Sequence, residues 1–160
     1  MNIKPYYAYN LTITQEDVKI PALTLEQSWH NIVKNGRTFG YVIEDFICNE
    51  HDNLESTHSL GAAPDAIYDN KYTVQIKTTS DKHYCYVSKS GLWDKSKGYE
   101  EQNLITRKYF SKYDFFIIAY KKLFDTKIEI TYSLVDSFTI STLQNHPKTP
   151  TKKNIDLLWI

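Results

Sequence analysis

A chain of 160 residues fits one domain with a hydrophobic core of its own, and leaves no room for a large second domain. Hydrophobic residues at 41% and charged residues at 24% exclude a disordered chain, and two cysteines, Cys48 and Cys85, exclude a disulfide framework. The formal net charge is zero, which excludes attraction to polyanions by overall charge alone.

Residues 1–22 alternate weakly and are punctuated by Pro5 and Pro21, so an irregular N-terminal arm with only short strands is expected. Thr24, with Gln27 three residues on, forms a capping-box pattern. Leu25, Trp29, Ile32 and Val33 then repeat at helical spacing until Asn35-Gly36. A second helix is predicted over 38–49, with Phe39, Val42, Ile43, Phe46 and Ile47 as its buried stripe. Residues 51–63 are polar and turn-rich, and His51 and His58 read there as loop residues within reach of a bound partner.

Residues 66–68 and 72–78 are predicted strands joined by an Asp69-Asn70 turn. In the second strand Val74 and Ile76 share one face, and Thr73, Gln75 and Lys77 share the other. A third strand is predicted at 84–87, a loop at 88–98, and a helix at 100–112 with Leu104, Ile105 and Tyr109 inward. Residues 114–120 are continuously apolar, which predicts a strand buried on both faces. A strand at 128–135, a helical turn at 139–144 and a C-terminal tail over 145–160 complete the chain. The fold class is α/β (α+β): one domain over 1–160, with a mixed central β-sheet flanked by helices.

The zero net charge hides a division. Residues 1–70 carry ten acidic and four basic side chains, and residues 71–160 carry nine acidic and fifteen basic ones. In 71–112 the basic residues are interleaved with aromatics, which suits a phosphate backbone as well as it suits a plain solvated face. The acidic first half repels DNA unless its carboxylates hold metal ions.

The informative stretch runs from Pro64-Asp65 to Gln75-Ile76-Lys77. Gln75 and Lys77 lie two apart on one strand face, and the hairpin folds Asp65 back beside them. A carboxylate, an amide oxygen and an ammonium then converge at a sheet edge. Such a set suits metal-assisted phosphodiester hydrolysis, in which hard oxygen ligands hold Mg2+ and a lysine positions the attacking water.

These residues resemble the PD-(D/E)xK nuclease superfamily. The proline-aspartate pair, an acidic-or-Gln position ten residues after the Asp, and a lysine two further on stand here as Pro64-Asp65, Gln75 and Lys77. Gly40-Tyr41-Val42-Ile43-Glu44 matches the upstream helical glutamate that often completes the metal site. The resemblance implies a restriction-endonuclease-like core over 37–121. It implies that Glu44, Asp65 and Gln75 bind Mg2+, and that Lys77 is the catalytic lysine. Gln75 departs from the usual Glu and matches the QxK variant of Mrr-like members; Asp45, Glu50 and Asp69 are nearby reserves of charge. The helix-then-strand over 103–120 is similar to the segment after the catalytic hairpin in small type II restriction endonucleases. That likeness implies double-stranded DNA as substrate and a homodimer. It also implies that 83–97 reaches the major groove, with His83, Tyr84, Ser88, Lys89, Ser90, Trp93, Lys95 and Lys97 as DNA contacts.

Each residue has an ordinary alternative. Asp65 after Pro64 is a common turn signal, Gln75 and Lys77 suit a solvent face, and Glu44 suits a helix surface. Trp93 either stacks on a base or anchors its loop. It is the conjunction, in order and at workable spacing, that favours a nuclease. The alternatives are a modified-DNA-dependent, repair or junction-resolving nuclease of the same superfamily, and a non-catalytic DNA-binding module that keeps the fold. The first residues lack a continuous apolar run and no stretch reaches ~18 apolar residues, so neither a signal peptide nor a membrane span is expected. A cytoplasmic location follows.

Overall fold

The computed structural model describes residues 1–57, 64–80 and 96–143. Within them lie β1 (Tyr9–Thr14), a 3-10 turn (Glu16–Val18), α1 (Leu25–Val33), α2 (Gly36–Asn49), β2 (Leu54–Ser56), β3 (Ala66–Tyr68), β4 (Tyr72–Thr79), α3 (Tyr99–Phe110), β5 (Phe115–Leu123), β6 (Lys127–Asp136) and α4 (Ser137–Leu143). The strands form a six-stranded sheet in the order β1-β6-β5-β4-β3-β2. All neighbours are antiparallel except β4 and β5, which run parallel. A parallel pair needs a crossover connection, and α3 lies in it.

Local chemistry accounts for the helix starts. Thr24 and Gln27 form the capping box: Gln27 N donates to Thr24 Oγ1 at 3.1 Å and Thr24 N donates to Gln27 Oε1 at 3.0 Å. Asn35 Oδ1 accepts from the backbone of Arg37 and Thr38, so α2 begins at Gly36, two residues ahead of the sequence expectation. Helix α2 buries Phe39, Ile43 and Ile47 of the predicted stripe, while Val42 and Phe46 are only partly buried.

Two apolar layers hold the sheet. On one face Trp29, Phe39, Ile43 and Ile47 of α1 and α2 pack with Val74, Ile76, Ile117, Ala119 and the inward residues of β6. On the other, Tyr109 and Phe110 of α3, Tyr113 and Ile140 of α4 pack with Phe116, Ile118 and Val135. Residues 116–119 of β5 are each fully buried and alternate between the two layers, as expected for a central strand.

Four expectations are corrected. Residues 54–56, expected in a polar turn-rich stretch, form the edge strand β2, because β3 offers them its free side. The N-terminal arm is not irregular throughout. β1 pairs with β6 over six residues and buries Leu11 and Ile13. Ahead of it Ile3 is buried, and its backbone N and O are bonded to the Asn53 side chain at 2.8 and 3.1 Å. Weak alternation was enough because β6 pairs with all six residues of the strand. In α3, Leu104 points outward at 63% exposure, and Phe110 joins Tyr109 inward. So few apolar residues do not set a helix's rotation; the aromatic cluster with Tyr113 and Phe116 does. His51 is a core residue, 3% exposed, with Nε2 2.6 Å from the Tyr132 hydroxyl. The predicted strand at 84–87, the loop as far as residue 95, His58 and the tail lie outside the described residues. Among the described residues no helix is long and apolar enough to cross a membrane.

Candidate functional site

The β3–β4 hairpin is set by its turn. Asp69 and Asn70 have φ of 53° and 56°, a left-handed conformation that Asp and Asn tolerate better than other residues with a Cβ. The register is Tyr68 to Tyr72, Ile67 to Thr73 and Ala66 to Val74, which brings Asp65 beside the middle of β4. Asp65 N donates to Val74 O at 3.0 Å. The Asp65 carboxylate then takes over where β3 ends: Oδ2 accepts from Ile76 N at 2.9 Å. One carboxylate oxygen is thereby anchored to the strand that carries Gln75 and Lys77.

Alternation along β4 divides its work. Val74 and Ile76 are buried in the layer under α1 and α2. Gln75 and Lys77 are half-buried on the opposite face, in register with Phe116 and Ile118 of β5, which pack against α3. The Lys77 ammonium lies over the Tyr109 ring, 5.9 Å from its centroid.

Glu44 comes from α2, next to Ile43 of the buried stripe. Burial pushes its carboxyl up to about 8, the Asp65 and Asp45 carboxylates add to the rise, and Lys77 opposes it. Burial also raises Asp65, against the pull of the Ile76 amide and Lys77. Cys48, one turn after Glu44 on α2, is pushed up to about 12 by burial and by the fields of Asp45, Glu44 and Asp65. Burial raises Tyr109 and Tyr113, and each also feels Asp65. Glu44, Asp65 and Lys77 thus lie within one another's fields, and Tyr109 of α3 and Tyr113 beyond its end also feel Asp65.

Gln75 Oε1 is buried and accepts no hydrogen bond from the described residues. A buried acceptor without a donor costs about 1–3 kcal/mol, and a cation is one way to satisfy it. Two carboxylates raised chiefly by burial and one amide oxygen without a donor are the oxygens available to a cation here. The donor set, three hard oxygens, fits a divalent cation such as Mg2+. It is lean in charge: among the described residues no group of three or more His, Cys, Asp or Glu is placed to hold a metal. Of the reserves, Asp45 accepts from Ser56 Oγ at 3.4 Å and contributes to the field on Glu44. Asp69 is engaged at the turn by Asn53 Nδ2 at 2.9 Å, and Glu50 is the exposed residue that ends α2.

The expected DNA contacts His83, Tyr84, Ser88, Lys89, Ser90, Trp93 and Lys95 lie outside the described residues. Lys97 is exposed, 3.9 Å from Glu101 one helical turn on. The sequence reading missed the tyrosine flank. In the sequence Tyr109 counts as an inward helix residue and as one of the aromatics among basic residues, and Tyr113 lies beyond the helix end, so no helical spacing signals the pair. No protein-family model, curated protein or solved structure matches the chain.

Proposed function

We propose that the chain is a Mg2+-dependent endonuclease of the PD-(D/E)xK kind in its QxK form, acting as a homodimer on double-stranded DNA. The observation that carries this reading is the Asp65 carboxylate anchored by Ile76 N on the strand that bears Lys77 and the buried Gln75 oxygen, with Glu44 within the fields of Asp65 and Lys77. The order of parts supports a restriction-endonuclease-like core: α2 with Glu44, the hairpin with Asp65, Gln75 and Lys77, then α3 and β5.

Glu44, Asp65 and Gln75 would hold the metal, and the Ile76 amide fixes the Asp65 carboxylate in place for it. When bound, Mg2+ polarises the phosphoryl oxygen and makes water acidic enough to attack. Lys77 orients that water and balances the negative charge that develops on phosphorus oxygens. The buried flank of Tyr109 limits water on the α3 side. One such site cuts one strand, so a double-strand break calls for two copies about a two-fold axis.

Incubating phage DNA with the protein and Mg2+ tests the reading: discrete fragments are expected for a sequence-specific enzyme, and a smear for a nonspecific one. Asp65→Asn keeps an acceptor for Ile76 N and removes the charge, and Lys77→Ala removes the ammonium; both should melt like the wild type and cut nothing. Cleavage by Asp65→Asn at the wild-type rate would sink the assignment. Methylated and four-way-junction substrates separate restriction from the related tasks. The lean acid count favours one rival, a non-catalytic DNA-binding module. DNA binding without any calorimetric heat from Mg2+ or Mn2+ would select it.

A further inference from the structure

We propose that Lys108 and Lys112 form a phosphate clamp on the rim of the site and hold the DNA backbone next to the scissile bond; its place beside the cut rests on the nuclease reading above. The stretch Arg107-Lys108-Tyr109-Phe110-Ser111-Lys112 closes α3 with three cations and no carboxylate. Tyr109 and Phe110 are buried, and Arg107, Lys108, Ser111 and Lys112 are exposed. None of the three cations forms an ion pair with a described residue. Asp114, the nearest carboxylate along the chain, is occupied by Thr73, whose N and Oγ1 lie 2.9 and 3.2 Å from its Oδ2.

The aromatic layer fixes where this end of α3 sits. The Tyr109 and Phe110 rings meet Phe116 at 6.4 and 5.6 Å, and Phe116 is in register with Gln75. The Tyr109 ring centroid is 5.9 Å from Lys77 Nζ. Lys108 precedes Tyr109 and Lys112 follows it by three, so both flank the turn whose inner side carries that ring. The helix dipole favours cations in the last turn, and Arg107 and Lys108 already meet that preference. Lys112 lies past the helix end, four residues from Lys108, where a second like charge adds repulsion. A phosphate backbone relieves that repulsion, because its regularly spaced negative charges answer successive cations along the rim. Such a contact reads no base; it sets affinity and register.

Lys108→Ala with Lys112→Ala removes two charges from the rim. Lys34→Ala with Lys122→Ala removes the same charge elsewhere, since Lys34 caps the end of α1 and Lys122 lies on the far reach of β5. Each phosphate contact contributes about −0.9 to the slope of log affinity against log salt. Fluorescence anisotropy with a short random-sequence duplex, in Ca2+, should give a slope shallower by about 2 for the rim pair, and binding weakened roughly 60-fold at about 0.1 M salt. The control pair should keep the wild-type slope. An equal change in both pairs would mean a diffuse field and would overturn the clamp. A rim pair that melts lower yet keeps the slope would show that the lysines serve only the helix end, and would overturn it too. Normal cleavage of phage DNA with an unchanged slope overturns the clamp and leaves the nuclease reading standing. A shallower slope for the rim pair, when even the wild type cuts nothing, supports the clamp and removes the nuclease reading. No duplex binding by the wild type overturns both.

Discussion

Replacing Glu44 by Gln should stabilise the metal-free protein at alkaline pH and change it little near pH 5. The Glu44 carboxyl is pushed up to about 8 in the folded chain by burial, against an ordinary value of 4.5. Below pH 4.5 both states hold the proton, and the group contributes nothing to the difference. As pH rises toward 8 the unfolded chain releases the proton and the folded chain keeps it, so stability is lost across that window and stays lost above it. The full shift corresponds to about 5 kcal/mol at ~1.4 kcal/mol per unit. Glu44 is only half-buried, and solvent screening leaves about 2 kcal/mol of that as a realistic effect. Gln has the same shape and no titration. Urea unfolding of both proteins in EDTA should therefore differ by only about 0.3 kcal/mol at pH 5 and by about 2 kcal/mol at pH 9, with a melting difference of roughly 5 °C at the higher pH. His51, lowered by burial, titrates in both proteins and cancels from the difference. A gap between the two proteins that does not change from pH 5 to pH 9 would refute the electrostatic account of the site.

Three further outcomes follow from the same geometry. At pH 7 a carboxyl titrating at about 8 is roughly 90% protonated, so Mg2+ binding should release about one proton, seen as a dependence of calorimetric heat on buffer ionisation enthalpy that fades by pH 9. Gln75→Glu should tighten Mg2+ binding about tenfold, since it replaces an amide oxygen by a charged one; unchanged affinity would remove Gln75 from the ligand set. Ile117→Ala, at a fully buried position in the central strand, should cost about 3 kcal/mol in urea unfolding, and a loss under 1 kcal/mol would contradict the packing described.

Much of the site was legible because its parts are local. The Asp69-Asn70 turn and the alternation of β4 are properties of fewer than twenty consecutive residues, and they place Gln75 and Lys77 on the face opposite Val74 and Ile76. The expectation that Asp65 returns beside that strand holds for the same reason, and the Ile76 amide on its carboxylate is the local detail the sequence did not reveal. Glu44 is different. Its helix could be read from the Phe39, Ile43 and Ile47 stripe, but its electrostatic coupling to Asp65 and Lys77 depends on how α2 lies on the sheet.

The sequence alone determined α1 to α3 and the strands β3 to β6, because caps, turns and periodicity act through neighbours in the chain; the edge strands β1 and β2 it did not reveal. Only the tertiary structure decided which of them meet. β1 becomes an ordered strand because β6, more than a hundred residues away, offers its open edge. His51 is taken from a polar-looking loop into the core because Tyr132 supplies it a hydrogen-bond partner there. Leu104 is turned outward and Tyr109 inward because one aromatic cluster selects the rotation of α3. That rotation also sets the ring over Lys77, a contact between two elements that no local pattern encodes.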